Sequence, residues 1–512
     1  MERTIRVTSA YLGFPVKAEQ KKELIEIFEE NEKQYELQIP VGEADDDGTC
    51  DYYAYLKVSD FTGKTLTLKG KLGNRFFENI VQTDQPEWPP IAKPLIHFAA
   101  DRGWLNDPNG LVYHDGVYHL YFQYNQFDTQ WDNMSWGHAV STDLLNFRQM
   151  DTVLYPDEHG SMYSGCGLVN ERGLLGLPED ALVFFYTAAG GINPWSKGKM
   201  FTQRIAVSTD GGRTLKKLPQ EAVGVIEEDS RDPQVFWHEQ SKSYIMMLWL
   251  KDGEIGILRS SDLQNWELAS RVILPGAFEC PNLFCLQNDG QEQWVLLIAD
   301  GSYYLGQFDG YSFETDGVKN MAYLSSIPYA AQVYNGVKDR VVLVPWLHMK
   351  NEGKLYTGMM GLPRELALTG QGSEARLQML PVREYEISKR ELNSFETHGE
   401  EISFEIREEA VTELCLQMQD ISETMVEFFG EKLVIRKDEV IFGEEKTALP
   451  ESLTEVRILI DRQIVEIIGN QGTLNMYYET GSDELTGTIT VKGCHGKGTC
   501  WLKGGIGYVD YH

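Results

Sequence analysis

Turns set the limit on what this chain can become. Between residues 95 and 365, apolar runs of five to seven residues alternate with turn-forming residues: Tyr118–Tyr124, Leu182–Tyr186, Tyr244–Leu250, Trp294–Ile298 and Arg340–Val344. Runs this short suit strands, and a helix would need about ten to twelve residues. The 48 Gly and 11% aromatic residues point the same way. A loose repeat accompanies the runs. Ser-Thr-Asp at 141–143 and 208–210, Ser-Ser-Asp at 260–262 and Phe-Asp-Gly at 308–310 place Asp at 143, 210, 262 and 309, in steps of 67, 52 and 47. Each Asp leads through a turn to Phe147, Leu215, Trp266 or Phe313. Repeats of that length, each holding several strands, predict propeller blades. A plain succession of hairpins is the alternative left open.

The flanks also read as strands. Up to about residue 88, Tyr35, Leu37 and Ile39 alternate with Glu36 and Gln38, and Leu66 and Leu68 with Thr65 and Thr67. Period two marks half-buried strands. Lys21–Gln34 is rich enough in Glu and Lys for a helix, but Ile25 and Ile27 keep the alternation and Asn31 offers a turn, so a hairpin is expected. Glu43–Gly48 reads as an acidic loop, and Pro86, Pro89, Pro90 and Pro94 as a linker. From about 388, runs such as Ile402–Ile406, Leu414–Met418 and Ile464–Ile468 carry the spacing of a β-sandwich.

Charge narrows the partners. With 77 acidic and 46 basic side chains the net charge is −31. Phosphate contacts need surplus Lys and Arg, so nucleic acid is not expected as a partner, nor is an anionic membrane surface. No apolar run reaches about 18 residues, so no transmembrane helix is expected. The start, Met1 to Val7, lacks the apolar core of a signal peptide, so the cytoplasm is the expected location, or secretion had a leader been removed. Seven Cys, odd in number and scattered, do not predict a disulfide scaffold. Cys494 to Cys500 lacks a zinc spacing, and its glycines read as a turn between strands, so no metal is expected. His114 and His119 flank Asp115-Gly116 and read as part of a hairpin.

Three acids lie in unusual settings, all in the middle region. Asp107 is followed by Pro108 in Trp104-Leu105-Asn106-Asp107-Pro108-Asn109-Gly110, Asp232 by Pro233 after Arg231, and Glu279 by Cys280 and Pro281. Proline presets the backbone and so fixes where a neighbouring carboxylate points. Asp107 and Asp232 each also make sense as turn residues. Glu279 does not, because it sits among Phe278, Leu283 and Phe284. An apolar setting raises a carboxyl pKa, as a general acid requires. A carboxylate nucleophile and a carboxylic acid together are the chemistry of a retaining glycosidase.

The string Trp104 to Gly110 closely resembles the first motif of glycoside hydrolase family 32, the invertases, inulinases and levanases. Arg231-Asp232-Pro233 and Glu279-Cys280 resemble its second and third. Trp131 to Ser141, Ser164-Gly165, Gly361 to Leu366 and Ile460 to Ile467 are similar to further stretches of the family. Residues 1–88 resemble, more weakly, an extra β domain of bacterial levanase-type members. The resemblance implies an all-β fold: a small N-terminal β domain (1–88), a five-bladed β-propeller (89–375) and a β-sandwich (376–512). It implies Asp107 as nucleophile, Glu279 as acid/base, and Asp232 beside Arg231 as the group that binds ring hydroxyls and stabilises the transition state. Asn106, Gln123, Trp131, Ser164 and Arg231 would line the fructose subsite, and Cys280 would influence the proton on Glu279. No cofactor is implied. The expected activity is hydrolysis of β-D-fructofuranosides with retention. Fructosyl transfer and non-catalytic fructan binding stand as alternatives, and a homodimer is left open. The sequence departs from the family pattern at Asp132, Ser135, Cys166 and Pro345, which leaves the choice of fructoside open.

Overall fold

The computed structural model describes residues 2–42, 49–420 and 423–504, so the acidic loop expected at 43–48 lies outside the described residues. The architecture is all-β, and the two α-helices among the described residues, Asn74–Glu78 and Arg383–Ser388, are single turns. The N-terminal stretch forms two antiparallel sheets. One has the order Glu2–Arg6, Thr65–Gly70, Lys22–Glu29, Glu32–Pro40; the other has Tyr52–Lys57, Tyr11–Val16, Val81–Thr83. The ambiguous Lys-Glu stretch is indeed a hairpin. Period two puts Ile25 and Ile27 into the core with Leu37 and Ile39, which a helical period could not do, and Glu30 turns the chain at φ 53°. Phe127, from the next region, completes this core.

Residues 103–381 build five successive antiparallel sheets, each with four principal strands. The first strands of the five are β1 (Gly103–His114), β2 (Ser161–Val169), β3 (Arg231–His238), β4 (Asn282–Asn288) and β5 (Pro328–Val333). β1 packs on β2, β2 on β3, β4 on β5, and β5 returns to β1. One buried side chain stitches each junction. Asn109 donates to Ser164 Oγ at 3.3 Å. Cys166 Sγ accepts from Val235 N at 3.0 Å, and Gln234 Oε1 from Leu283 N at 2.8 Å. Asn282 Nδ2 donates to Ala331 O at 3.2 Å, and Gln332 Oε1 accepts from Leu111 N at 3.1 Å. Inner strands that belong to different sheets cannot pair with one another as a ladder, so side chains satisfy their buried backbone groups. Cys166, one of the departures from the family pattern, is therefore an acceptor in this ring.

The Asp repeat is structural. Asp143, Asp210, Asp262 and Asp309 each follow the third strand of a sheet and accept backbone N–H bonds from the turn ahead, as at Leu145 and Asn146, Thr214, Gln264 and Asn265, and Tyr311 and Ser312. Such turns close the step to the fourth strand. The fifth sheet lacks one and makes that step through residues 370–375; its longer excursion, residues 348–363, lies between its second and third strands.

Beyond it, two six-stranded sheets pack face to face around Leu414, Leu416, Val426, Ile435, Ile458, Ile467 and Ile489. Two expectations need correcting. Arg376–Pro381 pairs along its whole length with Arg364–Thr369, so a division at 375/376 would cut the fifth sheet, and the change of sheet comes after Pro381. Gly496 and Gly498 are not turn residues but lie inside the strand His495–Gly504. A Cβ at Gly498 would stand 2.1 Å from the Phe395 ring, so close packing, not chain reversal, requires glycine there. Cys494 and Cys500 are free thiols buried in the core.

The seam between the five sheets and the last two holds a buried charged cluster beside its apolar contacts. His97 is fully buried between Asp461, 2.8 Å from Nδ1, and Glu466, 3.1 Å from Nε2, and Arg364 pairs with Glu466 from the other side. Asp461 also accepts from Leu95 N and Ile96 N at 2.7 and 2.9 Å.

Candidate active site

The carboxylates are aimed by interruptions in the inner strands. Pairing in β1 skips from Leu105 to Pro108, passing over Asn106 and Asp107. In β2 it skips Tyr163 and Ser164, in β3 Asp232 and Pro233, and in β5 Ala330 and Ala331. β4 begins at Asn282, straight after Glu279-Cys280-Pro281. A bulge bends its strand and re-aims the extra side chains. Here four bulges and one strand start bring Asp107, Ser164, Asp232 and Glu279 into one pocket. Asp232, Glu279, Cys280 and Ala330 all have positive φ, at 63°, 60°, 45° and 46°. Each such non-glycine residue costs on the order of 1–3 kcal/mol, and such strain gathers at functional sites.

Asp107 accepts from Ser164 Oγ at 2.6 Å and from Asn106 Nδ2 at 3.2 Å. Both donors are themselves held. Asn106 Oδ1 takes the Trp104 indole N–H at 2.8 Å. Ser164 Oγ accepts from the Asn109 amide and from Gln123 Nε2 at 3.4 Å, which turns its own proton toward Asp107. Burial raises the Asp107 carboxyl above its ordinary range, the Ser164 and Asn106 bonds pull it back, and the Glu279 charge pushes the same way as burial.

Asp232 is deeper. Its Oδ2 accepts from Cys280 N at 3.2 Å, and the Cys280 thiol stands 3.5 Å from it and 3.8 Å from Asp107 Oδ2. Burial first and the charge of Glu279 second push Asp232 up to about 7, against the pull of Arg231. The same burial and the surrounding carboxylates push the Cys280 thiol well above its ordinary range.

Glu279 departs from the apolar setting expected of it. Its Oε1 receives Arg231 Nε at 3.0 Å and Nη2 at 2.7 Å, and its Oε2 receives the Tyr329 hydroxyl at 3.0 Å. Arg231, expected to serve Asp232, lies 3.9 Å from it and gives its closest bonds to Glu279. The guanidinium lies on the Trp249 ring, 4.1 Å from its centroid, with Phe278 at 5.2 Å and the Asp229 carboxylate 3.1 Å from Nη1.

Of the remaining expected residues, Trp131 stands at the rim, 44% exposed and edge-on to Tyr163. Gln123 is buried behind Ser164, where Nε2 also donates to Met162 O at 3.0 Å. Tyr163, Tyr329, Trp249 and Thr187, which bonds Asp232 N at 3.0 Å, were not found from sequence. Tyr163 was adjacent to Ser164, a signal that could have been used; Tyr329 reaches Glu279 across 50 residues, and no local pattern announces it. Among the described residues no group of three His, Cys, Asp or Glu side chains is arranged to hold a metal ion.

Residues 97–381, more than half of the chain, match the family model described as the glycosyl hydrolases family 32 N-terminal domain. The chain belongs to glycosyl hydrolase family 32. This family member is 33% identical over 328 residues to a levanase of Bacillus subtilis, which covers 57% of the chain and 47% of that protein. It is 30% identical over 377 residues to a fructan beta-fructosidase of Streptococcus mutans, covering 66% of the chain and 25% of the relative. The matched part thus spans about half or less of these two relatives. An extracellular exo-inulinase of Aspergillus niger is 27% identical over 471 residues, 74% of the chain and 88% of the relative. In fold, the chain is similar to the exo-inulinase of Aspergillus awamori, with a TM-score of 0.70 at 23% identity over 82% of this chain and 99% of the other. A family 32 glycoside hydrolase of Bifidobacterium adolescentis aligns over 98% of this chain and 99% of its own, with a TM-score of 0.68 at 17% identity. Such neighbours imply a β-propeller followed by a β-sandwich.

Proposed function

We propose that this glycoside hydrolase releases fructose from β-D-fructofuranosides by double displacement. The observation that carries the reading is the pairing of two differently dressed carboxylates across one pocket. Asp107 is oriented by the Ser164 and Asn106 donors, and Glu279 by Arg231 and Tyr329. Asp107 attacks the anomeric carbon and a fructosyl-enzyme forms while the glycosidic bond breaks. Glu279 gives a proton to the leaving oxygen, then takes one from the water that attacks the fructosyl-enzyme. The pocket retains a proton close to neutrality, with Asp232 pushed up to about 7. Asp232 binds ring hydroxyls, Arg231, Asn106, Ser164 and Gln123 shape the fructose subsite directly or through the groups they hold, and Trp131, expected to line it, stands at its rim.

The scaffold reading that goes with this is a five-bladed propeller, supported by five sheets of four principal strands whose first strands are linked in order. The test is a panel of sucrose, inulin, levan and short fructo-oligosaccharides given to the purified chain, with products followed by NMR. Free fructose whose first-formed anomer is β is expected. An α-anomer would remove Asp107 from the nucleophile's role, and trisaccharide as the main product at high sucrose would make the chain a transferase.

A further inference from the structure

Three aromatic rings stand in a row beside the carboxylates. Trp131 meets Tyr163 edge-on at 6.2 Å, and Tyr163 meets Phe201 edge-on at 5.6 Å. Tyr163 shares its bulge with Ser164, the residue bonded to Asp107. Both ends of the row are tied to the N-terminal sheets. At the Trp131 end, Lys22 Nζ lies between Asp128 and Asp132, 3.3 and 3.1 Å away. Beside it, Asn133 uses its side-chain amide as a strand would use its backbone: Oδ1 accepts from Gln38 N at 2.7 Å and Nδ2 donates to Gln38 O at 2.8 Å. Asn133 has φ 44°, and this two-point match to the strand Glu32–Pro40 keeps it there. At the Phe201 end, buried Glu36 accepts from Trp195 N at 2.8 Å, and Lys33, 2.8 Å from Glu36, lies 5.1 Å from the Trp195 ring centroid. Asp132, one of the departures from the family pattern, thereby has a partner that only these sheets supply.

We infer that the N-terminal sheets are a working part of the substrate pocket: Lys22, Glu36 and Gln38 position the wall Trp131–Tyr163–Phe201, and the wall receives the sugar units of an oligomeric fructoside that lie beyond the one next to the cleaved bond. The inference rests on the fructoside reading above. The carboxylates take the terminal ring at the bottom of the pocket. The wall is the outer, wetter element, with Trp131 44% exposed, so it meets what lies outside that ring. Ring faces suit the C–H faces of an uncharged sugar. Lys22, Glu36 and Gln38 touch no substrate and act only by position.

The experiment uses the full chain with Lys22→Met and Glu36→Gln, reading amide hydrogen exchange and kinetics side by side. Exchange is expected to quicken at least about threefold within residues 126–133 for Lys22→Met and within 190–201 for Glu36→Gln, and to stay unchanged around Asp107. For an inulin oligomer, KM is expected to rise about fivefold, with kcat and the KM for sucrose within about twofold of wild type. Lys22→Arg should restore the KM, and Lys22→Met should add nothing in a Trp131→Ala background. Unchanged exchange in both segments, or an equal rise in KM for sucrose and oligomer, overturns the inference. A wild-type chain that releases no fructose from any fructoside defeats the activity reading instead, and the exchange rates then decide the positioning on their own.

Discussion

Two clusters of buried acids in this molecule are treated in opposite ways. At the seam, Asp461 and Glu466 are buried, which by itself would raise both carboxyls, yet both are held below their ordinary range. His97 and the backbone N–H groups of Leu95 and Ile96 outweigh burial at Asp461, and Arg364 and His97 do so at Glu466. His97 in turn is lifted to about 9, the two carboxylates outweighing its own burial. In the pocket, Asp107 and Asp232 are also buried, but the Arg231 guanidinium binds Glu279 and stands 3.9 Å from Asp232. There the carboxyls move up. Balanced charge helps hold two parts of the fold together, whereas charge left unbalanced raises Asp107 and Asp232 in the pocket.

That contrast can be broken at several points. Asp107→Asn should lower kcat by roughly 10⁵-fold while Tm stays level or rises, because a repelled buried charge is removed; a clear fall in Tm by calorimetry would assign Asp107 to the fold instead. Glu466→Gln should do the reverse. Breaking a buried pair while its partners stay costs about 3–5 kcal/mol, read by urea unfolding, with activity per folded molecule retained. Ser164→Ala removes one charge-assisted hydrogen bond from Asp107 and should lower kcat/KM about ten- to hundredfold with little change in Tm. An effect on Tm alone would move Ser164 from the pocket's side of the comparison to the seam's.

The smallest expected effect is a slope. Asp232 keeps its proton in the folded chain up to about 7, while the unfolded chain releases it in the ordinary carboxyl range. Its contribution to stability is therefore fully present below that ordinary range and is lost as pH rises toward and through 7. Asp232→Asn should gain stability relative to wild type across that window, measured as the Tm difference against pH. At the seam the sign reverses for Asp461, whose stabilising contribution is present above the ordinary carboxyl range and lost as pH falls through its lowered folded pKa. Parallel slopes for Asp232→Asn and Asp461→Asn would erase the distinction.

Much of the fold was legible because its cause is local. Period two at Ile25 and Ile27 made a hairpin out of a helix-like composition. The recurring Asp at 143, 210, 262 and 309 marked turns whose hydrogen bonds run only two to four residues ahead. The glycines at 496 and 498 were misread because what excludes a side chain at Gly498 is Phe395, distant in sequence. The apolar reading of Glu279 failed for the same reason. Phe278, Leu283 and Phe284 are its neighbours in the chain, but Arg231 and Tyr329 are its neighbours in space.

By itself, then, the sequence determined the strands, their turns and the local settings of the three acids, since each follows from periodicity or from a motif a few residues long. Only the tertiary structure decided how those acids are held and how far Asp107 and Asp232 are raised. A pKa and a side-chain orientation depend on the groups within a few ångströms, and here those groups arrive from different sheets: Ser164 from β2, Arg231 from β3, Tyr329 from β5, and, behind Trp131, Lys22 and Gln38 from the N-terminal sheets.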